Sequence, residues 1–195
     1  MAITSNPGVP TERVAGRYRL IRRVGGGNMS TVYEAEDTRR SGRTVAVKLL
    51  NTEHDDALKQ EIFRRETRAL AQLEHPNIVS VLDYGWSSEY RCHYLVFEYI
   101  PQTLLQEISA HPDTRDHDWC WPLMRQMADA LVHAHSQGVI HRDVKPSNVL
   151  IGAGDRPMLV DFGVSLLKFE LATGVTVSAF FSGACQKYLA EAQQC

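Results

Sequence analysis

Three consecutive glycines, Gly25-Gly26-Gly27, stand between two runs that both alternate like β-strands, residues 18–24 and 31–36. Glycine allows a sharp reversal and keeps side chains clear of the loop's backbone N–H groups. The element after such a loop decides the kind of sheet. A glycine-rich turn entering a helix belongs to a parallel, dinucleotide-binding sheet, whereas one entering a second strand closes a hairpin. Here the second case holds, and the chain contains no G-x-x-x-x-G-K-[ST] run. The front of the chain is therefore expected to form an antiparallel sheet.

A third strand is expected over residues 44–50, after the turn pair Ser41-Gly42. Between residues 55 and 73 the period becomes helical: Ile62, Glu66, Ala69, Leu70 and Leu73 share one stripe, while Glu61, Arg65 and Arg68 share a charged one. Glu66 is thus a carboxylate among apolar neighbours and needs a cation from elsewhere. His75-Pro76-Asn77 breaks the helix, and strands are expected over 78–82 and 93–99. A second lobe begins after Pro101. Leu123, Met127, Ala130, Leu131 and Ala134 mark its helix, which ends at Gly138. Residues 149–151 and 158–160 form a hairpin around Gly152-Ala153-Gly154-Asp155. The expected organisation is an N-terminal arm over 1–17, a strand-rich lobe over 18–100 and a helical part over 101–195.

Composition narrows the class. With 44% hydrophobic and 23% charged residues the chain suits an ordinary globular core, and a net charge of −2 gives no general attraction to nucleic acid or anionic lipid. The arginines Arg13, Arg17, Arg19, Arg22 and Arg23 read as a solvated strand rather than a phosphate-binding arm. Cys92, Cys120, Cys185 and Cys195 form no C-x-x-C pair, which suggests reduced thiols and a cytoplasmic setting. His111, His117 and Cys120 lack the spacing of a zinc site. Residues 1–8 carry no signal-peptide pattern, and the longest uncharged run, 171–186, is too short and too polar to cross a membrane.

The chemistry gathers in three further places. In Val45-Ala46-Val47-Lys48 alternation puts Ala46 and Lys48 on one strand face, a small residue beside a long cation. Lys48 and Glu66 answer each other's need for a counter-charge. The third place is His141-Arg142-Asp143-Val144-Lys145-Pro146-Ser147-Asn148, with Asp161-Phe162-Gly163 following. In this order and spacing, the glycine loop, V-A-x-K, catalytic loop and D-F-G resemble the eukaryotic-like (Hanks-type) serine/threonine protein kinases, especially bacterial members, over residues 18–183.

That resemblance implies an α+β, two-lobe fold: a small antiparallel-sheet N-lobe with one regulatory helix, and a helical C-lobe. It also implies an ATP-dependent transfer of the γ-phosphate to Ser or Thr of protein substrates, with Mg2+. Val24, Gly25, Gly26, Gly27, Asn28, Met29, Ser30 and Val32 would cover the phosphates and, with Ala46 and Leu150, enclose the adenine. Lys48 would hold the α- and β-phosphates, oriented by Glu66. Phe97 takes the gatekeeper position, and Glu98, Tyr99 and Ile100 that of the hinge. Asp143 would receive the proton of the substrate hydroxyl, and Lys145, the serine/threonine form of the loop, would neutralise the transferring group. Asn148 and Asp161 would ligate the metal. Arg142 implies an activation segment that pairs with it when phosphorylated, for which Thr173, Thr176, Ser178 and Ser182 are candidates. Self-association with autophosphorylation is a further implied property.

The pattern departs from the family after Ser182-Gly183. Ala184 stands where the family has threonine, and no proline separates Ala190 from Glu191. The chain ends at Cys195, before the remaining helices of such a lobe, so the helical lobe is expected to be incomplete. That would leave the stripe of Leu123, Met127 and Leu131 exposed and Phe180 and Phe181 without a burial site. An ATP-binding interaction module without catalytic turnover is therefore the alternative to an enzyme, and phosphorylation of a small molecule is a weaker third reading.

Overall fold

The structure is a computed structural model that describes residues 13–27, 30–50, 57–111 and 117–162; the side chains of residues 57–60, 62, 65, 66 and 117 fall outside that description. Strands β1 (Arg13–Val14), β2 (Tyr18–Gly27), β3 (Ser30–Asp37), β4 (Arg43–Leu50), β5 (Val81–Ser87) and β6 (Cys92–Glu98) form one antiparallel sheet in the order β1-β2-β3-β4-β6-β5. The period-2 alternation read from the sequence becomes its two faces. Val45, Val47 and Leu49 pack with Val14, Tyr18, Leu20, Tyr94 and Val96 on one side. Leu50, Leu95 and Phe97 join Phe63 and Val79 on the other.

Helix α1 (Ala57–Ala71) lies on that second face. Its Phe63, 1% exposed, stacks on His93 of β6 with ring centroids 4.1 Å apart. Burying such a ring contributes about 2–3 kcal/mol, and a stacked partner adds to it. This one side chain therefore does much to seat the helix.

Below the sheet lie α2 (Leu104–Ala110), α3 (His117–Ser136) and the hairpin β7 (Val149–Gly152) and β8 (Arg156–Leu159). Leu104, Leu123, Ala130, Ala134, Val149, Ile151 and Leu159 form their common core. Gly138, at φ +76°, ends α3 in the left-handed conformation expected of a C-terminal glycine. A seam of main-chain bonds joins the halves: Val79 N–H donates to Leu159 O at 2.9 Å and Leu159 N–H to Asn77 O at 2.8 Å. Asn77 Nδ2 donates to Pro157 O at 2.7 Å.

Four expectations need correction. The apolar run at 78–82 is not one strand: Ile78 and Val79 bond to the hairpin, and β5 starts at Val81. Residues 13–14 are not a loose arm, since β1 pairs with β2 and Val14 is fully buried. The stripe expected to be bare is covered, with Leu123 5% and Ala130 and Ala134 0% exposed and Met127 and Leu131 packed against the same core. It is the opposite face of α3 that meets solvent, through Trp121 and Val132. Finally, α2 is an additional helix, too short to show a period but started by a capping box between Thr103 and Gln106. The expectations for Asn28, Met29, Gly163, the activation-segment hydroxyls, Ala184 and the two phenylalanines Phe180 and Phe181 lie outside the described residues.

Candidate functional site

A cleft of about 610 Å³ separates the sheet from the lower half. Its roof is Val24, Gly25, Gly26, Gly27, Ser30 and Val32. Gly26 sits at φ +125°, and a Cβ there would lie 2.4 Å from Ser30 O, so only glycine closes this turn. Gly27 has open space around it, so what its missing side chain provides is access to the loop backbone.

The back wall is Ala46, Lys48 and Phe97; Glu98, Tyr99 and Ile100 form the connecting edge. Lys48 is 4% exposed, and its Nζ lies 2.5 Å from Asp161 Oδ2. A buried ammonium needs such a partner. The backbone of Glu66 lies in α1, and its side chain is outside the description. Leu150, Val160 and Asp161 close the floor.

Asp143, Lys145 and Asn148 face the roof across the cleft. Their segment has almost no regular structure apart from a 3-10 turn over Pro146–Asn148, so side chains hold it. Asn148 Nδ2 donates to Asp143 O at 2.8 Å and to Asp143 Oδ2 at 2.9 Å. Lys145 Nζ reaches the same Oδ2 at 2.7 Å. His141, 1% exposed, bonds through Nε2 to Val160 O at 3.0 Å and accepts Asp143 N–H on Nδ1 at 3.3 Å. The carbonyl can only accept, so Nε2 carries the proton and the ring is neutral. Burial holds His141 below the ordinary imidazole value. The Lys145 ammonium, followed by Asn148, holds Asp143 below the usual carboxylate range, so it is ionised at neutral pH. Arg142 at φ +65° and Asp161 at φ +70° occupy the left-handed region, a strain kept where surrounding structure over-determines the backbone.

The protein kinase domain family matches residues 18–179. The chain belongs to that family. It is 39% identical over 184 residues to the serine/threonine-protein kinase PknA of Mycobacterium tuberculosis, covering 92% of this chain and 42% of that one. It is 38% identical over 156 residues to the serine/threonine-protein kinase PrkC of Bacillus subtilis, covering 79% and 24%. Among solved structures it resembles the Mycobacterium tuberculosis PknI kinase domain, with a TM-score of 0.67 and 29% identity, covering 84% of this chain and 64% of that one. The chain thus spans less than half the length of these curated kinases.

A kinase site takes a divalent cation, and the residues present fit one. Both amide hydrogens assigned to Asn148 point at Asp143, which leaves the amide oxygen as a hard donor; Asp161 supplies a carboxylate at the same edge of the cleft. No cluster of three His, Cys, Asp or Glu occurs among the described residues. Asn148 and Asp161 would supply such a cation with two hard oxygens, and phosphates and water would complete its shell.

Sequence reasoning missed Pro101, Thr103, Gln106, Ser147 and Val160, which also line the cleft. The T-x-x-Q spacing of Thr103 and Gln106 was the available signal for two of them. No helix among the described residues is long and apolar enough to cross a membrane.

Proposed function

We propose that this chain binds Mg-ATP in the cleft and transfers the γ-phosphate to Ser or Thr hydroxyls of protein substrates, with residues 18–100 as the nucleotide-binding lobe and the residues from 101 onward as the catalytic one. The observation that supports this best is that one cleft gathers the Lys48–Asp161 pair and the Asp143–Lys145–Asn148 network. Those groups are what phosphoryl transfer needs, since its barrier falls mainly through positioning and charge stabilisation.

The division of labour follows from the contacts. The glycine roof offers backbone N–H groups to the phosphates, and Lys48, already desolvated, holds their charge. Asp143 Oδ2 is occupied by Lys145 and Asn148, which leaves Oδ1 to orient the acceptor hydroxyl and take its proton. Depression of its basicity makes Asp143 an orienting group first and a proton acceptor late in transfer. Lys145, half exposed, is free to swing toward the departing phosphoryl group. Mg2+, when bound by Asn148 and Asp161, screens phosphate charge.

A second reading, nucleotide binding without turnover, is favoured by the apolar outer face of α3, where Trp121, Met124 and Val132 are 60%, 55% and 68% exposed. Thermal unfolding with and without Mg-ATP tests the shared claim. At ATP about 100-fold above its dissociation constant the folded state should gain about 2.7 kcal/mol, and Asp161→Ala should remove the gain. Absence of a shift in the parent would overturn both readings. A shift without label transfer from [γ-32P]ATP to a protein acceptor would leave only the second.

A further inference from the structure

Resting on the ATP-binding reading, we propose that Arg22, Glu34 and Tyr99 form a clasp that ties the glycine-bearing strands to the hinge and so sets the height of the roof over the phosphates. These are positioning residues, and they come from three elements. Arg22 lies on β2, three residues before Gly25; Glu34 is its cross-strand partner on β3; Tyr99 lies in the segment that edges the cleft. Arg22 Nη2 donates to the Tyr99 hydroxyl at 2.9 Å and lies 2.7 Å from Glu34 Oε2. The phenol, through burial first and the nearby Glu34 carboxylate second, is raised above its usual range.

Local backbone geometry explains how the arginine reaches so far. Strand pairing slips on both sides of Arg22 and Arg23, between Leu20 and Arg22 and again between Arg23 and Gly25. Such irregularities bend and twist a strand, and from this stretch Arg22 reaches the Tyr99 hydroxyl. The clasp also differs from a loose surface pair. The Glu34 side chain is only 18% exposed, so its carboxylate needs a cation, whereas Arg22 is 54% exposed and would otherwise prefer water. Lifting the roof away from the hinge would break the Arg22–Tyr99 bond while leaving Arg22–Glu34 intact, because the latter pair moves with the roof.

ATP touches both roof and hinge, whereas adenosine lacks the phosphates that the roof covers. Arg22→Met keeps the apolar stem and removes the donors. It should weaken ATP binding about threefold to tenfold, the scale of one hydrogen bond, and change adenosine binding less than about twofold. The transfer rate at saturating ATP should match the parent. In the nucleotide-free chain, backbone amides of residues 25–27 and 30–32 should exchange with deuterium faster in Arg22→Met and in Tyr99→Phe, with no further gain in the double variant. Parental exchange in both variants overturns the clasp. Faster exchange with an unchanged ATP-to-adenosine affinity ratio overturns its role in setting the roof. A parent that binds neither ligand overturns the ATP reading instead, and the exchange arm still decides whether the clasp exists.

Discussion

The roof and the floor of the cleft are built by different means. The roof belongs to a sheet whose register is fixed by ladder pairing, unbroken over eight Cα partners between β3 and β4 and slipping beside Arg22 and Arg23 between β2 and β3, and by a core on each face. The floor between His141 and Asn148 has no such ladder and depends on single side-chain bonds to backbone from His141 and Asn148. A ladder spreads the loss of one contact over its neighbours, so roof substitutions at the cleft should act gradually on nucleotide affinity. A floor held by single bonds should fail locally and at once. Activity and stability should therefore separate between the two regions.

The largest effect should come from the floor. Asp143→Asn keeps size and the acceptor for Lys145 but removes the charge that the proposed mechanism uses to orient and deprotonate the hydroxyl. Label transfer from ATP to protein should fall by about 10²–10⁴-fold, while the Mg-ATP thermal shift stays close to that of the parent. Transfer within about tenfold of the parent would show that Asp143 is not the acceptor of the proton.

The roof has one corner that breaks its own rule. Arg17 donates from Nε and Nη2 to Asp37 at 2.8 and 2.6 Å and from Nη1 to Asp83 at 3.1 Å, and Tyr18 donates to Asp83 at 2.5 Å. The Asp37 side chain is 3% exposed, so Arg17→Met strands a buried carboxylate rather than merely losing a contact. Chemical denaturation should show a loss of about 3 kcal/mol. A loss below about 1 kcal/mol would mean that ladder pairing carries this corner too, and that the contrast between roof and floor is complete.

A smaller effect ties the floor to pH. His141 and His75 share one device: each ring accepts, through Nδ1, the amide of the residue two places on, Asp143 at 3.3 Å and Asn77 at 3.1 Å. Protonation removes that acceptor. Burial lowers both imidazoles from the ordinary 6.5, with His133 nearby lowering His75 further and Asp129 opposing. The folded state therefore binds these protons less well than the unfolded chain. Their contribution is fully present above pH 6.5 and is lost as pH falls below it. Each ring accounts for at most about 1.4 kcal/mol per pH unit. His141→Leu should flatten the slope below that point, whereas an unchanged slope would assign it to other groups.

Much of this was legible in the sequence because it lies in local pattern. Alternation around Val45 and Lys48 gave a strand with a cleft face, and three glycines between strands gave a hairpin. What was not legible depends on where backbone bonds go. Ile78 and Val79 look like the start of β5, yet their partner lies on β8, in the other half of the molecule. The cover of an apolar stripe was equally hidden: periodicity marked the buried face of α3, but only the fold shows that the hairpin residues Val149, Ile151 and Leu159 pack with it. The pairing of Lys48 with Asp161 was missed for the same reason, since a strand and a distant loop meet only through the fold.

The smallest effect returns to the arginines between residues 13 and 23, which composition alone treats as one solvated group. Arg19 faces Glu36 across the strands, whereas Arg17, just before β2, reaches Asp37, the register partner of Tyr18; both arginines make an ion pair in the structure. They differ in water. The Arg19 and Glu36 side chains are 51% and 28% exposed, against 20% and 3% for Arg17 and Asp37. An exposed pair gains little Coulomb energy and loses side-chain entropy, so Arg19→Met should change stability by no more than about 0.5 kcal/mol. Raising the salt concentration should erase even that. If Arg19→Met instead matched Arg17→Met, burial would not be what separates the two pairs. The roof would then owe its strength to charge along its whole edge, and its difference from the floor would be one of degree.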